Sequence, residues 1–195
     1  MGADWFCMVF SYLSVLISIV LGLGIAHVLG ALIRLIRFRS RSTMYWPSVI
    51  WAFNLLGLMV LVWWSDFSLT KHDSWTFAIF ISTLTIPALL YVVSGLILPT
   101  GESPEQDALR RAYEENRVWF FSLLVAAVAS SFVQTLLLDG HITANLDSAL
   151  KLLVMLVMGM PIVFRGDKVQ KAVAVFNLLW LALYIAILFS NLRRG

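Results

Sequence analysis

From Val9 the chain reads VFSYLSVLISIVLGLGIAHVLGALIRLI, carries no charge before Arg34, and then turns basic at Arg34, Arg37, Arg39 and Arg41. A stretch of that length exceeds what a soluble core helix needs. At 1.5 Å per residue it is long enough to cross about 30 Å of hydrocarbon. Backbone amides in lipid find no water, so the stretch must pair its own peptide groups as an α-helix. That one constraint sets the rest of the chain, because whatever follows has to be built in or beside a bilayer.

Five more apolar stretches follow. The six together cover residues 8–33, 46–65, 75–98, 118–138, 149–164 and 171–191, and the shortest, the fifth, contains Pro161. Its shortness leaves it as either a thin span or a re-entrant segment. Hydrophobic side chains make up 61% of the chain and charged ones 13%, about half the charged share of soluble domains. The expected fold is therefore all-α: one polytopic transmembrane domain over residues 1–195, a bundle of six transmembrane helices with one amphipathic helix on the cytoplasmic side. The first stretch is expected to be a retained span, since no basic segment precedes it.

Ten of the fourteen Lys and Arg residues sit in the first, third and fifth connections: Arg34, Arg37, Arg39, Arg41, Arg110, Arg111, Arg117, Arg165, Lys168 and Lys171. Lys71, Lys151, Arg193 and Arg194 lie on the other side. The positive-inside rule places the odd connections in the cytoplasm, with both termini outside a bacterial inner membrane. Arg193 and Arg194 run against that assignment. Trp5, Trp46, Trp63, Trp64, Trp75 and Trp119 fall near span ends, where amphipathic rings anchor, while Trp51 and Trp180 lie deeper. The net charge of +3 is carried beside apolar runs and not in a separate basic patch, so nucleic acid is not an expected partner.

Residues 103–117 carry helix signals: Ser103 as N-cap, Pro104 in the first position, Gln106 as the reciprocal cap, and opposite charges at Asp107/Arg111 and Arg110/Glu114. Leu109, Ala112 and Tyr113 share a stripe. The helix can run on into the fourth span, as a solvated linker or as a docking surface for a cytoplasmic partner. Three spans on either side suggest an inverted repeat, but Pro87 and Pro161 do not correspond and no shared motif supports one.

Polar residues inside the spans are the candidate site. Counted inward from each cytoplasmic end, His27, Asn54, Tyr91 and Asn177 all lie roughly 9–12 Å deep at 1.5 Å per residue. Unpaired polar groups in hydrocarbon are costly, so these four are expected either to hydrogen-bond one another or to line a hydrated inner site, with His27 as the titratable member. Ser130, Ser131, Gln134 and Thr135 form a second cluster near the outer end of the fourth span, either an outer vestibule or hydroxyls bonded back to their own helix. On the first span Ser11, Ser14, Ser18, Gly22 and Ala26 make a small-residue packing face. His27, Gly30, Arg34, Arg37 and Arg41 lie on a different one. Arg34, Arg37, Arg39 and Arg41 are the expected contacts with lipid headgroups.

Motifs for catalysis are missing: there is no P-loop, no HExxH and no CxxC. The single cysteine, Cys7, excludes an intramolecular disulfide. His72 with Asp66 and Asp73, and His141 with Asp139, are read as solvated loop charges and not as metal sites. A lone intramembrane histidine offers no bis-His pair for haem, so no cofactor is expected and the chain is not read as an enzyme. Three functions stay open. The first is a channel or transporter for an ion or small solute, acting as a homo-oligomer. The second is a scaffold docking a partner through its cytoplasmic helix, and the third a protein that binds or modifies lipid.

Overall fold

The computed structural model describes residues 2–37, 45–65, 76–96, 108–141 and 146–192. They form six helices: α1 (Gly2–Arg37), α2 (Trp46–Ser65), α3 (Phe77–Ser94), α4 (Ala108–Asp139), α5 (Leu146–Val163) and α6 (Asp167–Leu192). No strand occurs among the described residues. Arg39, Arg41, the Ser103–Gln106 cap, Asp107 of the Asp107/Arg111 pair, His72 with its two aspartates, and Arg193 and Arg194 lie outside them.

Five helices are long and apolar enough to cross a membrane: Ser11–Arg37, Trp46–Ser65, Phe77–Ser94, Leu109–Leu138 and Asp167–Ala186. The weak fifth stretch is weak in the fold as well, since its apolar part, Ser148–Val163, is shorter than the other five. The exterior matches this composition. Tyr12, Ile33, Leu156 and Leu179 each leave more than half of their surface open, which would be costly against water and is natural against hydrocarbon.

Local chemistry sets the ends. Pro47 occupies the first turn of α2, where its missing N–H costs nothing. The Thr76 hydroxyl caps α3 by accepting from the Ile79 amide at 3.3 Å. Helix α4 crosses the position expected for a linker without a break, so the segment from Ala108 and the fourth apolar stretch form one 32-residue rod. Arg110 and Glu114 pair at 2.8 Å on its exposed face. Leu109 and Tyr113 are buried against the bundle, which leaves the apolar stripe of this segment already occupied within the chain.

In packing order the helices close a ring, α1–α3–α4–α5–α6–α2, and α2 also touches α3 and α4. Helix α2 is therefore the interior element. Its Trp51, Leu55 and Met59 are fully buried. Trp51 meets Phe120 and Phe121 edge-on, with ring centres 5.3 and 5.1 Å away. Two glycines set how closely helices approach. A Cβ on Gly24 would stand 2.7 Å from the Met59 methyl and 3.7 Å from the Tyr91 Cα, and one on Gly57 would stand 2.5 Å from a Leu181 methyl. The small-residue stripe of α1 is not the buried face. Ser11, Ser18, Gly22 and Ala26 are exposed, and α1 turns Leu13, Ile17, Leu21, Gly24 and Val28 inward instead.

Candidate functional site

Six helix ends meet at one end of the bundle: the last turns of α1, α3 and α5 and the first turns of α2, α4 and α6. This basic end carries Arg34, Arg37, Arg110, Arg111, Arg117, Arg165, Lys168 and Lys171. Asp167 opens α6, where a carboxylate suits the positive end of the helix dipole. Tyr45 donates its hydroxyl to Asp167 Oδ1 at 3.0 Å, and Lys171 pairs with the same carboxylate one turn on. Burial, and then the hydrogen bond to Asp167, hold the Tyr45 hydroxyl protonated well above the usual tyrosine range.

Deeper, Tyr113 donates to Gln170 Oε1 at 2.8 Å, and Gln170 Nε2 donates to the Phe164 carbonyl at 3.0 Å and the Pro161 carbonyl at 3.4 Å. Arg117 Nη1 reaches the same Phe164 carbonyl at 3.3 Å. Helix α5 ends there, so its last carbonyls are capped by an amide from α6 and a buried guanidinium from α4. Both Gln170 and Arg117 lie below one-tenth exposure, and the cation faces the negative end of the α5 dipole. This cluster is a lock: it ties α4, α5 and α6 together and spends the capacity of Gln170 in doing so.

Beside the lock runs a seam between α2 and α6. Asn54 comes from α2, and Gln170, Ala174 and Asn177 from α6 at helical spacing, while Trp51 turns to Phe120 and Phe121 of α4 and Ser48 lies half a turn round α2 from Gly57. Asn54 Nδ2 donates to the Ala174 carbonyl at 3.4 Å. Its Oδ1 has no partner, and neither do Asn177 Nδ2 and Ser48 Oγ. Trp51 Nε1 lies near the Tyr113 hydroxyl without reaching hydrogen-bond geometry. Past Asn54 the seam is closed by the Gly57–Leu181 contact. The orphaned polar atoms have a consistent placement. Those on His27, Arg34, Ser48, Trp51, Asn54 and Asn177 all lie between the basic end and mid-depth. In the other half, by contrast, the described buried hydroxyls are paired.

Of the four residues expected to share a depth, Asn54 reaches α6 at the Ala174 carbonyl and Asn177 is buried on α6 three residues on, with no hydrogen bond between the two side chains. His27 sits on α1, which among the described residues has no contact with α6, so it is not part of that seam. Its Nε2 is buried and unpartnered. Tyr91 is 44% exposed on the outside of α3. In the outer cluster, Ser130, Ser131 and Thr135 bond back to the carbonyls of Ala126, Val128 and Ser131 on their own helix. Gln134 crosses to α3 and donates to the Thr83 hydroxyl at 3.1 Å. Ser130 also lines an open groove of about 460 Å³ between α3 and α4, whose other walls, Phe77, Ile81, Val133 and Leu137 among them, are largely apolar. Of the basic group, Arg34 is part-buried and Arg37 exposed.

Tyr45, Ser48, Tyr113, Arg117 and Gln170 were not among the expected site residues. The signal was present for Gln170: with Ala174 and Asn177 it makes one small and polar stripe on a 3.6-residue period. A span drawn from Lys171 cuts that stripe at its first member. Comparison of the chain with protein-family models, curated proteins and solved structures finds no match in any of them, so function is argued from this geometry.

Proposed function

We propose that the chain is a small multi-pass membrane protein that admits a small polar solute to the α2–α6 seam from its basic, cytoplasmic end and passes it across the bilayer. The observation that carries this reading is the pair of buried amides with complementary unmet groups, the Asn54 Oδ1 acceptor and the Asn177 Nδ2 donor, on two helices in contact. An orphaned buried polar group costs about 1–3 kcal/mol, and function is the common reason for a fold to keep one. The charge bias of the connections supports assigning the basic end to the cytoplasm. In this conformation Leu181 closes the far side against Gly57, so passage requires α2 and α6 to part at that contact.

The test uses purified protein in liposomes, with swelling measured for glycerol and urea and proton flux followed by a trapped dye. Wild type is expected to exceed protein-free vesicles for at least one of the three. Asn54→Leu is expected to lose that flux by about tenfold while unfolding at the same or a higher temperature, because it removes an unmet acceptor from an apolar site. Wild-type flux at the protein-free level for every solute, with correctly folded protein, contradicts the proposal.

A further inference from the structure

The orphaned nitrogens of α1 are separate from the seam. Ser18 accepts a hydrogen bond from Trp63 Nε1 at 3.1 Å, which fixes the α2 side of α1. His27 lies nine residues on, half a turn round the helix at 100° per residue, and Arg34 follows two full turns after it. Since among the described helices α1 touches α2 and α3 alone, the flank carrying His27 and Arg34 is the α3 side. Arg34 belongs to the last turn of α1, and its side chain folds back toward the helix interior, with Nη1 3.9 Å from where a Cβ on Gly30 would stand. Arg34 Nε and His27 Nε2 are both buried without a hydrogen-bond partner, and among the described residues no carboxylate pairs with the guanidinium.

A part-buried guanidinium without a counter-charge is costly in a low-dielectric setting. Snorkelling to water would relieve it, but Arg34 instead lies along its own helix with Nε covered. The unmet groups are a cation and an imidazole nitrogen that can donate, stacked on one flank with a residue lacking a side chain between them. Together they present hydrogen-bond donors and positive charge to an oxyanion, and a guanidinium fork matches phosphate geometry better than an ammonium does. We infer that the α1–α3 flank at the basic end is a phosphate-binding site in which Arg34 holds the phosphate and His27 donates from below. Because the flank lies at the level where α1 leaves the apolar layer, the phosphate is that of an anionic lipid headgroup. This is independent of solute passage through the α2–α6 seam.

The test is the thermal unfolding of full-length protein in nanodiscs of phosphatidylcholine, in four forms: alone, with a minor share of phosphatidic acid, with an equal share of oleic acid, and alone with inorganic phosphate in the buffer. Phosphatidic acid is expected to raise the unfolding temperature and oleic acid to do so far less. A rise with inorganic phosphate alone also upholds a phosphate site and identifies free phosphate as its source. Equal rises with the two anionic lipids, or none with any phosphate, overturn the inference. Arg34→Gln is expected to weaken retention of phosphatidic acid, read by native mass spectrometry, about tenfold or more. Arg37→Gln removes the same charge from an exposed position and measures the diffuse attraction of the whole basic end, so its loss is expected to be smaller. If Arg34→Gln does not fold, Arg34→Lys keeps the charge without the fork. It is expected to fall between wild type and the Arg37→Gln-corrected background, and full retention in Arg34→Lys would overturn the role given to the guanidinium.

Discussion

Gln170 shows how one side chain can hold an architecture together. Its amide accepts from Tyr113 and caps the end of α5, so truncation removes three hydrogen bonds, leaves a buried tyrosine hydroxyl unmet and leaves the Phe164 carbonyl to Arg117 alone. Gln170→Ala is expected to destabilise the bundle by about 2–4 kcal/mol, read as a lowered unfolding temperature in detergent. Tyr45 makes a different prediction. Its proton is held more tightly in the folded chain than in the unfolded one, so its contribution is fully present below the ordinary tyrosine pKa of about 10 and is lost as pH rises beyond it. The unfolding temperature of wild type is therefore expected to fall more steeply above pH 10 than that of Tyr45→Phe. Parallel curves would refute this assignment. At neutral pH the Asp167–Lys171 pair, being partly exposed, adds about 1 kcal/mol at most.

At the scale of helices, the contact between α2 and α6 is set by Gly57. A Cβ there meets a Leu181 methyl, so Gly57→Val forces the two helices apart and is expected to cost about 1–3 kcal/mol. Gly159→Ala on α5 meets nothing within 4 Å and is expected to leave stability unchanged or slightly raised, the difference between the two being read in the same unfolding assay. What the sequence made legible divides at this scale. The existence of six apolar helices follows from hydropathy alone, and the option that α4 runs on through its amphipathic turns follows from the opposite charges spaced one turn apart, such as Arg110 and Glu114. Back-bonded Ser130, Ser131 and Thr135, with Gln134 alone needing a neighbour, also follow from side-chain chemistry. Direction round each helix does not. A residue count fixes how deep His27, Asn54, Tyr91 and Asn177 lie, but which neighbour each one faces depends on the packing order, and no residue pattern within one helix encodes that. Tyr91 shows the gap most plainly, since it has the right depth and faces outward. The stripe from Ser11 to Ala26 shows it too, because small residues permit close approach without saying that a neighbour is there.

For the molecule as a whole, the division between its two halves is the main result. Among the described residues, the buried side-chain atoms left without a hydrogen-bond partner all lie between the basic end and mid-depth, and interior α2 links both sides of that end. On the proposed route, water reaches the seam of Asn54 and Asn177 from the basic side alone. The direct measurement places a single cysteine at position 177 in a Cys7→Ser background and follows its modification by a membrane-impermeant maleimide in vesicles of each orientation. The account predicts labelling when the basic end faces the reagent and protection when it faces away. Equal protection in both orientations, with the same protein labelled fully once unfolded, would contradict it and leave the two amides as packing within a dry bundle.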